Sequence, residues 1–119
     1  MIFLSENIVR EKSFKFALDI INLYKHLTVI QKEFILSKQI LRSGTSIGAN
    51  VRESLRGQSR RDFLSKMNIA LKEAEETEYS FELLIESDYL DTKHYYFLYN
   101  NCKELCRILH SIVKTTNIN

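Results

Sequence analysis

A chain of 119 residues is long enough for one domain with a real core and too short for two, and 45% apolar with 27% charged residues marks an ordered protein. A formal net charge of +2 excludes a polycation, and two cysteines outside any spaced framework exclude a secreted disulfide scaffold. Proline is absent, although average usage of about 5% would supply roughly six, so long uninterrupted helices are expected.

The first predicted helix covers about residues 5–27, capped by Ser5, with Phe16, Ile20, Leu23 and Leu27 on one stripe. Thr28 followed by Gln31 has capping-box spacing and opens a second helix over about 29–56. That helix runs through Phe34, Ile40, Ile47, Val51 and Leu55, with Gly57 as its stop. Ser59 with Asp62 repeats the cap for a third helix over about 60–87, and Asp91 caps a fourth over about 92–114.

The third and fourth helices carry the cleanest periodicity. Phe63, Met67, Ala70, Ala74, Thr77, Phe81 and Leu84 alternate spacings of four and three, as do Tyr95, Leu98, Cys102, Leu105, Leu109 and Ile112. Such heptads pack at about 20°, and short connections set sequence neighbours antiparallel. The expected fold is all-α, one antiparallel up-down-up-down four-helix bundle over residues 1–119. Leu64, Leu71, Ile85, Tyr99, Cys106 and Val113 lie beside the main seams. They read either as a broad core face or as a second face for self-association.

Within the second helix, Gly44 and Gly48 form a Gly-x-x-x-Gly pair. Each costs about 1 kcal/mol of helix stability relative to alanine, which points to close approach by a neighbouring helix. Thr45, Ser46 and Asn50 are then expected to hydrogen-bond across that contact. A phosphate-binding loop does not fit, because the Gly-Lys-Ser/Thr ending and the strand-turn-helix setting are both missing.

A basic segment follows: Arg42, Arg52, Arg56, Arg60, Arg61 and Lys66, against Glu53 and Asp62. Downstream, Glu73, Glu75, Glu76, Glu78, Glu82 and Glu86 occur with no basic residue among them. The third helix therefore begins basic and ends acidic, the reverse of what its macrodipole favours. Three readings compete: phosphate binding, contact between acidic and basic ends of neighbouring subunits, and a solvated face with local pairs such as Glu53–Arg56.

No motif for catalysis or a cofactor is visible. Cys102, Cys106 and His110 share one face of the fourth helix, but the outer two stand roughly 12 Å apart along the axis, too far for one ion, so no metal is expected. Neither a Glu-x-x-His pair nor a nucleophile with its base is present. Tyr89, Tyr95, Tyr96, Phe97 and Tyr99 are read as filling the end of a core or an interface, with base stacking as the alternative. The start, Met1 to Glu6, lacks the features of a signal peptide, and no apolar run approaches the ~20 residues of a membrane span. A soluble cytoplasmic protein is expected, with no membrane association.

The segment "LSKQILRSGTSIGANVRES", followed by Phe63-Leu64-Ser65-Lys66-Met67-Asn68-Ile69-Ala70-Leu71-Lys72-Glu73-Ala74, resembles a bacterial four-helix-bundle family. The family is named for proteins encoded by intervening sequences in the 23S ribosomal RNA gene. The resemblance covers nearly the whole chain. It implies an up-down-up-down bundle, assembly as a homopentamer in several members, and no catalytic residue. A related protein, the accessory factor of diversity-generating retroelements, implies binding to nucleic acid and to a reverse transcriptase. That factor is strongly basic, whereas this chain is +2 with an acidic third helix.

The expected function is that of a non-catalytic homo-oligomer, a pentamer, with RNA or DNA phosphates bound by Arg42, Arg52, Arg56, Arg60, Arg61 and Lys66. The rival is a protein-interaction scaffold that binds no nucleic acid.

Overall fold

The computed structural model describes residues 4–118. Its four helices are α1 (Leu4–Val29), α2 (Leu36–Leu55), α3 (Arg60–Glu86) and α4 (Thr92–Ile118). No strand occurs among the described residues. Each helix packs on two neighbours in the cycle α1, α2, α3, α4, α1, and neither diagonal pair brings its backbones together. The body measures 45 × 20 × 18 Å. Its long axis is thus little more than the about 39 Å of a 26-residue helix.

Two helix starts are set by local chemistry. The Ser59 hydroxyl accepts the Asp62 N–H at 3.0 Å ahead of α3. The Asp91 carboxylate accepts the Lys93 N–H at 2.9 Å ahead of α4. The Ser5 cap concerns a side chain outside the described residues.

The second helix departs from expectation. It begins at Leu36, seven residues beyond the predicted start at 29, because α1 runs on through Thr28 to Val29. The Thr28 hydroxyl donates back to the Tyr24 carbonyl at 2.9 Å, so it caps nothing. Lys32 turns the chain in the left-handed region (φ 55°). Glu33 then supplies the cap, its carboxylate accepting N–H bonds from Ile35, Leu36 and Ser37, the last at 2.7 Å. The Ser37 hydroxyl returns a bond to the Glu33 carbonyl at 2.8 Å. Phe34, expected in the α2 core stripe, lies instead in this connection and is 53% exposed.

The core is one continuous cluster. Phe16, Ile20, Leu23 and Leu27 of α1 meet Ile40, Ile47 and Val51 of α2, Met67, Ala70, Ala74, Phe81 and Leu84 of α3, and Cys102, Leu105 and Leu109 of α4. The flanking residues Leu71, Ile85, Tyr99, Cys106 and Val113 are half-buried against it, which makes them the margin of a broad core face. Every buried side-chain nitrogen and oxygen among the described residues has a hydrogen-bond partner.

Packing is closest between α1 and α2. A Cβ on Gly44 would stand 2.8 and 2.9 Å from the two γ carbons of Ile20. One on Gly48 would stand 3.3 Å from the Ser13 carbonyl oxygen. The two glycines therefore let α2 settle onto the ridge of α1. Gly57 also serves space and not backbone sign, since its φ is not positive. A Cβ there would approach the Ser54 carbonyl oxygen to 3.1 Å and the Asp62 Cβ to 3.2 Å in the tight α2–α3 connection.

The polar residues beside the glycines do not bridge the helices as expected. Thr45 donates to the Leu41 carbonyl, Ser46 to the Arg42 carbonyl and Asn50 to the Ser46 carbonyl, all within α2. Asn50 thus satisfies its own helix and not a neighbour. The buried polar bridge is Ser43 to Thr77, with hydroxyl oxygens 2.9 Å apart between α2 and α3.

Two outcomes follow. Gly44→Ala gains about 1 kcal/mol of helix propensity but forces Ile20, a branched and fully buried side chain, out of its rotamer. Overpacking of this kind costs about 1–3 kcal/mol, so urea unfolding should show net destabilisation, greater for Gly44→Val. At Glu33, burial alone pushes the carboxyl pKa up, but the N–H bonds from Ser37, Leu36 and Ile35 outweigh it and hold the group below the ordinary carboxylate value. A depressed native pKa contributes stability that is present above the unfolded-state value and lost as pH falls through the folded one. Glu33→Gln should lower stability at pH 7 by about 1 kcal/mol and flatten the acid limb of stability against pH.

Candidate nucleic-acid interface

The α2–α3 corner is built by a short connection. α2 ends at Leu55, and the Arg56 and Gly57 N–H groups fold back onto the Glu53 and Ser54 carbonyls at 3.1 Å each. Ser59 then starts α3. This geometry gathers Arg52, Arg56, Arg60, Arg61 and Lys66 around one turn, but it does not leave them equivalent.

Arg42 stands apart. It lies about 21 Å back along the α2 axis from Arg56, at 1.5 Å per residue. Its Nη2 meets Glu76 at 3.0 Å and its Nη1 meets Glu73 at 3.1 Å. The Glu76 hydrogen bond, reinforced by the field of Glu73, holds its guanidinium pKa above the ordinary arginine value. Arg42 is therefore a clamp on the α2–α3 seam and not a member of the corner. Lys66 is engaged as well, with Nζ 2.8 Å from Glu53. The local Glu53–Arg56 pair is thereby replaced by a bridge between helices.

Two further arginines have structural contacts. The Arg52 guanidinium lies 4.9 Å from the centre of the Phe14 ring on α1, a cation–π arrangement. Arg60 donates from Nη2 to the Thr116 carbonyl in the last turn of α4, where a cation suits the negative end of the helix. Arg56 and Arg61 are exposed and have no ion-pair partner among the described residues.

The inverted charge order of α3 is thus partly offset from outside it. Arg42 answers Glu73 and Glu76, and Asp62 supplies an acid in the first turn. No basic residue sits in its last turn.

The aromatic cluster belongs to the other end of α4. Tyr96 lies about 30 Å along the helix from Thr116, the residue that Arg60 touches. Bases held at the corner cannot stack there. Tyr95 packs 5.9 Å from the His26 ring, and Tyr99 packs 6.0 Å from Phe81 while donating to Glu82 at 3.2 Å. Tyr96 and Phe97 remain exposed, at 56% and 80%.

Cys102 is buried, its thiol 3.4 Å from the Ala74 carbonyl oxygen. The hydrogen bond with Cys106, together with burial, pushes its pKa far up, so it is an inert packing thiol. Among the described residues no group of three or more His, Cys, Asp or Glu side chains is placed to hold a metal. No described helix is long and apolar enough to cross a membrane.

Sequence reasoning missed two features of this surface. Phe14, under Arg52, continues through Leu18 and Ile21 as an exposed apolar stripe on the outer side of α1, with exposures of 50%, 48% and 36%. Its spacing of four and three is visible in the sequence, but it is shorter than the inner stripe of Phe16, Ile20, Leu23 and Leu27. Glu53 as the partner of Lys66 could not be read from α2 alone, because it depends on the register of α2 against α3.

These features define an all-helical bundle protein. The chain matches the model of the 23S rRNA-intervening sequence protein family over residues 5–111, and it belongs to that family. It is also similar to a protein from Bacteroides thetaiotaomicron, a member of the S23 ribosomal protein family with unknown function, whose crystal structure was solved at 1.70 Å. The identity is 55%, with a TM-score of 0.90, covering 93% of this chain and 99% of that one. No curated protein matches the chain.

Arg42→Ala separates the seam from the corner. Its pairs are partly exposed, so the loss should be only about 0.5–1 kcal/mol by urea titration, shrinking further at high salt. Its polyanion affinity should stay that of the unaltered protein.

Proposed function

We propose that this chain is a cytoplasmic, non-catalytic bundle of alternating up and down helices that assembles with copies of itself and binds RNA or DNA through backbone phosphates at the α2–α3 corner. The alternating topology is supported by crossed pairings: Arg42 of α2 meets Glu73 and Glu76 of α3, whereas Glu53 meets Lys66. Self-assembly is supported by the exposed stripe of Phe14, Leu18 and Ile21, about half of whose surface is open although Arg52 rests on Phe14.

The observation that carries phosphate binding is the pair Arg56 and Arg61. They are exposed on either side of one turn, without ion-pair partners among the described residues, and planar guanidinium forks suit phosphate oxygens. Arg52 and Arg60 flank them, held in place by Phe14 and by the end of α4. The corner carries no base-reading element, so the mode is sequence-independent. The family's name makes RNA the first polyanion to test.

Fluorescence anisotropy with mixed-sequence RNA and single-stranded DNA tests this reading. Affinity should fall steeply with salt, and the double variant Arg56→Ala/Arg61→Ala should bind more weakly with a log–log salt slope reduced by about 1.4, at about 0.7 per phosphate contact. No binding by the unaltered protein at low salt removes this reading. The scaffold alternative, self-assembly without nucleic acid, then stands on the α1 stripe alone.

A further inference from the structure

The connection between α1 and α2 is an exposed apolar knuckle. Val29, Ile30, Phe34 and Ile35 are 61%, 66%, 53% and 72% exposed. Four large apolar side chains in one short turn at a bundle end are costly in water, at roughly 25 cal/mol per Å² of apolar surface left uncovered. The free charges of the connection itself have one sign. Between Lys25 and Lys38 the full charges are Lys25, Lys32, Lys38 and the single acid Glu33. Glu33 is consumed as the α2 cap and is only 8% exposed. The three lysines are exposed and have no ion-pair partner among the described residues.

The complementary surface lies on α3. Glu75, Tyr79, Glu82 and Glu86 follow spacings of four, three and four, and all are exposed, so they line one outward face of the helix. Tyr79 offers an aromatic ring that is 61% exposed. From Glu73 to Glu86 no lysine or arginine interrupts the acids. None of the three glutamates has an ion-pair partner among the described residues. The contact of Ser43 with Thr77 sets the register, and it brings the start of α2 to the level of Glu82. Knuckle and acidic face therefore sit at similar height, on the α1–α2 side and on the outer face of α3, with α2 between α1 and α3 in the packing cycle.

From this placement we propose that the lysine-ringed knuckle of one copy docks on the acidic Tyr79 face of α3 in the next copy. The inference rests on the self-assembly proposed above and adds to the α1 stripe two further surfaces that would meet. Because the surfaces differ, the contact is head-to-tail, the kind that builds a ring when its rotation closes. Apolar contact at Ile30, Phe34 and Ile35 against Tyr79 supplies attraction, while the lysines and glutamates set partner and orientation. The Arg56–Arg61 corner lies at the other end of the rod and stays outside the joint.

Sedimentation equilibrium with charge-reversed variants tests the joint. Lys25→Glu/Lys38→Glu and Glu82→Lys/Glu86→Lys should each weaken association at least about tenfold, with helical content unchanged by circular dichroism. A mixture of the two should assemble, and the chain carrying all four changes should regain the mass of the unaltered protein. Ile30→Ser/Ile35→Ser, at exposed positions, should weaken association without lowering thermal stability of the monomer. Variants that retain the full mass would overturn the surface assignment and leave self-assembly standing. An unaltered protein that is monomeric at every concentration would overturn both. Binding of that monomer to phosphatidylserine vesicles would reassign the knuckle to a lipid surface.

Discussion

How near α2 can come to α1 decides the rest of this bundle. With hydrogens at positions 44 and 48, the α2 backbone lies directly over Ile20 and Ser13. That approach fixes which face of α2 looks inward, seating Ile40, Ile47 and Val51 in the core. It also turns Ser43 toward Thr77 and Arg42 toward Glu73 and Glu76. Close packing therefore propagates into electrostatics: the register of α2 against α3 follows from the seat of α2 on α1.

The same register sorts the basic residues. In sequence, Arg42, Arg52, Arg56, Arg60, Arg61 and Lys66 form one class. In space, two are spent on carboxylates of the α2–α3 seam, one rests on an aromatic ring, one closes the end of α4 and two face water. A cluster whose members play different structural parts leaves fewer free cations than its count suggests. It is also a better defined one, because the engaged residues hold the turn on which Arg56 and Arg61 stand.

Helix identity and the inner faces of α3 and α4 were legible because strict spacings of three and four leave little choice. The same holds for the Ser59 and Asp91 caps, where a short polar residue stands next to the first turn. The α1–α2 connection was not legible. Thr28 and Gln31 matched a cap by spacing, yet a threonine hydroxyl satisfies the carbonyl four residues back equally well while the helix continues. Glu33 is an unusual cap, and it follows directly on Lys32 in a left-handed conformation. At the site, residue type was legible and engagement was not, since an arginine's partner lies some thirty residues away and is chosen by helix register.

The four seams of the bundle are unequal. Glycines close the first, paired arginine and lysine clamps tie the second, and the third has Cys102 against Ala74 and Tyr99 against Phe81. Between α1 and α4, Lys12 pairs with Glu104 at 2.9 Å, beside a cleft of about 250 Å³ that reaches Phe16 and Leu105. No connection joins those two helices, the first and fourth of the four described. The molecule is in effect a cylinder with a slit along one side. Thermal opening will start at that slit, and the amides of α1 and α4 that face it will exchange with solvent before the α2–α3 spine gives way.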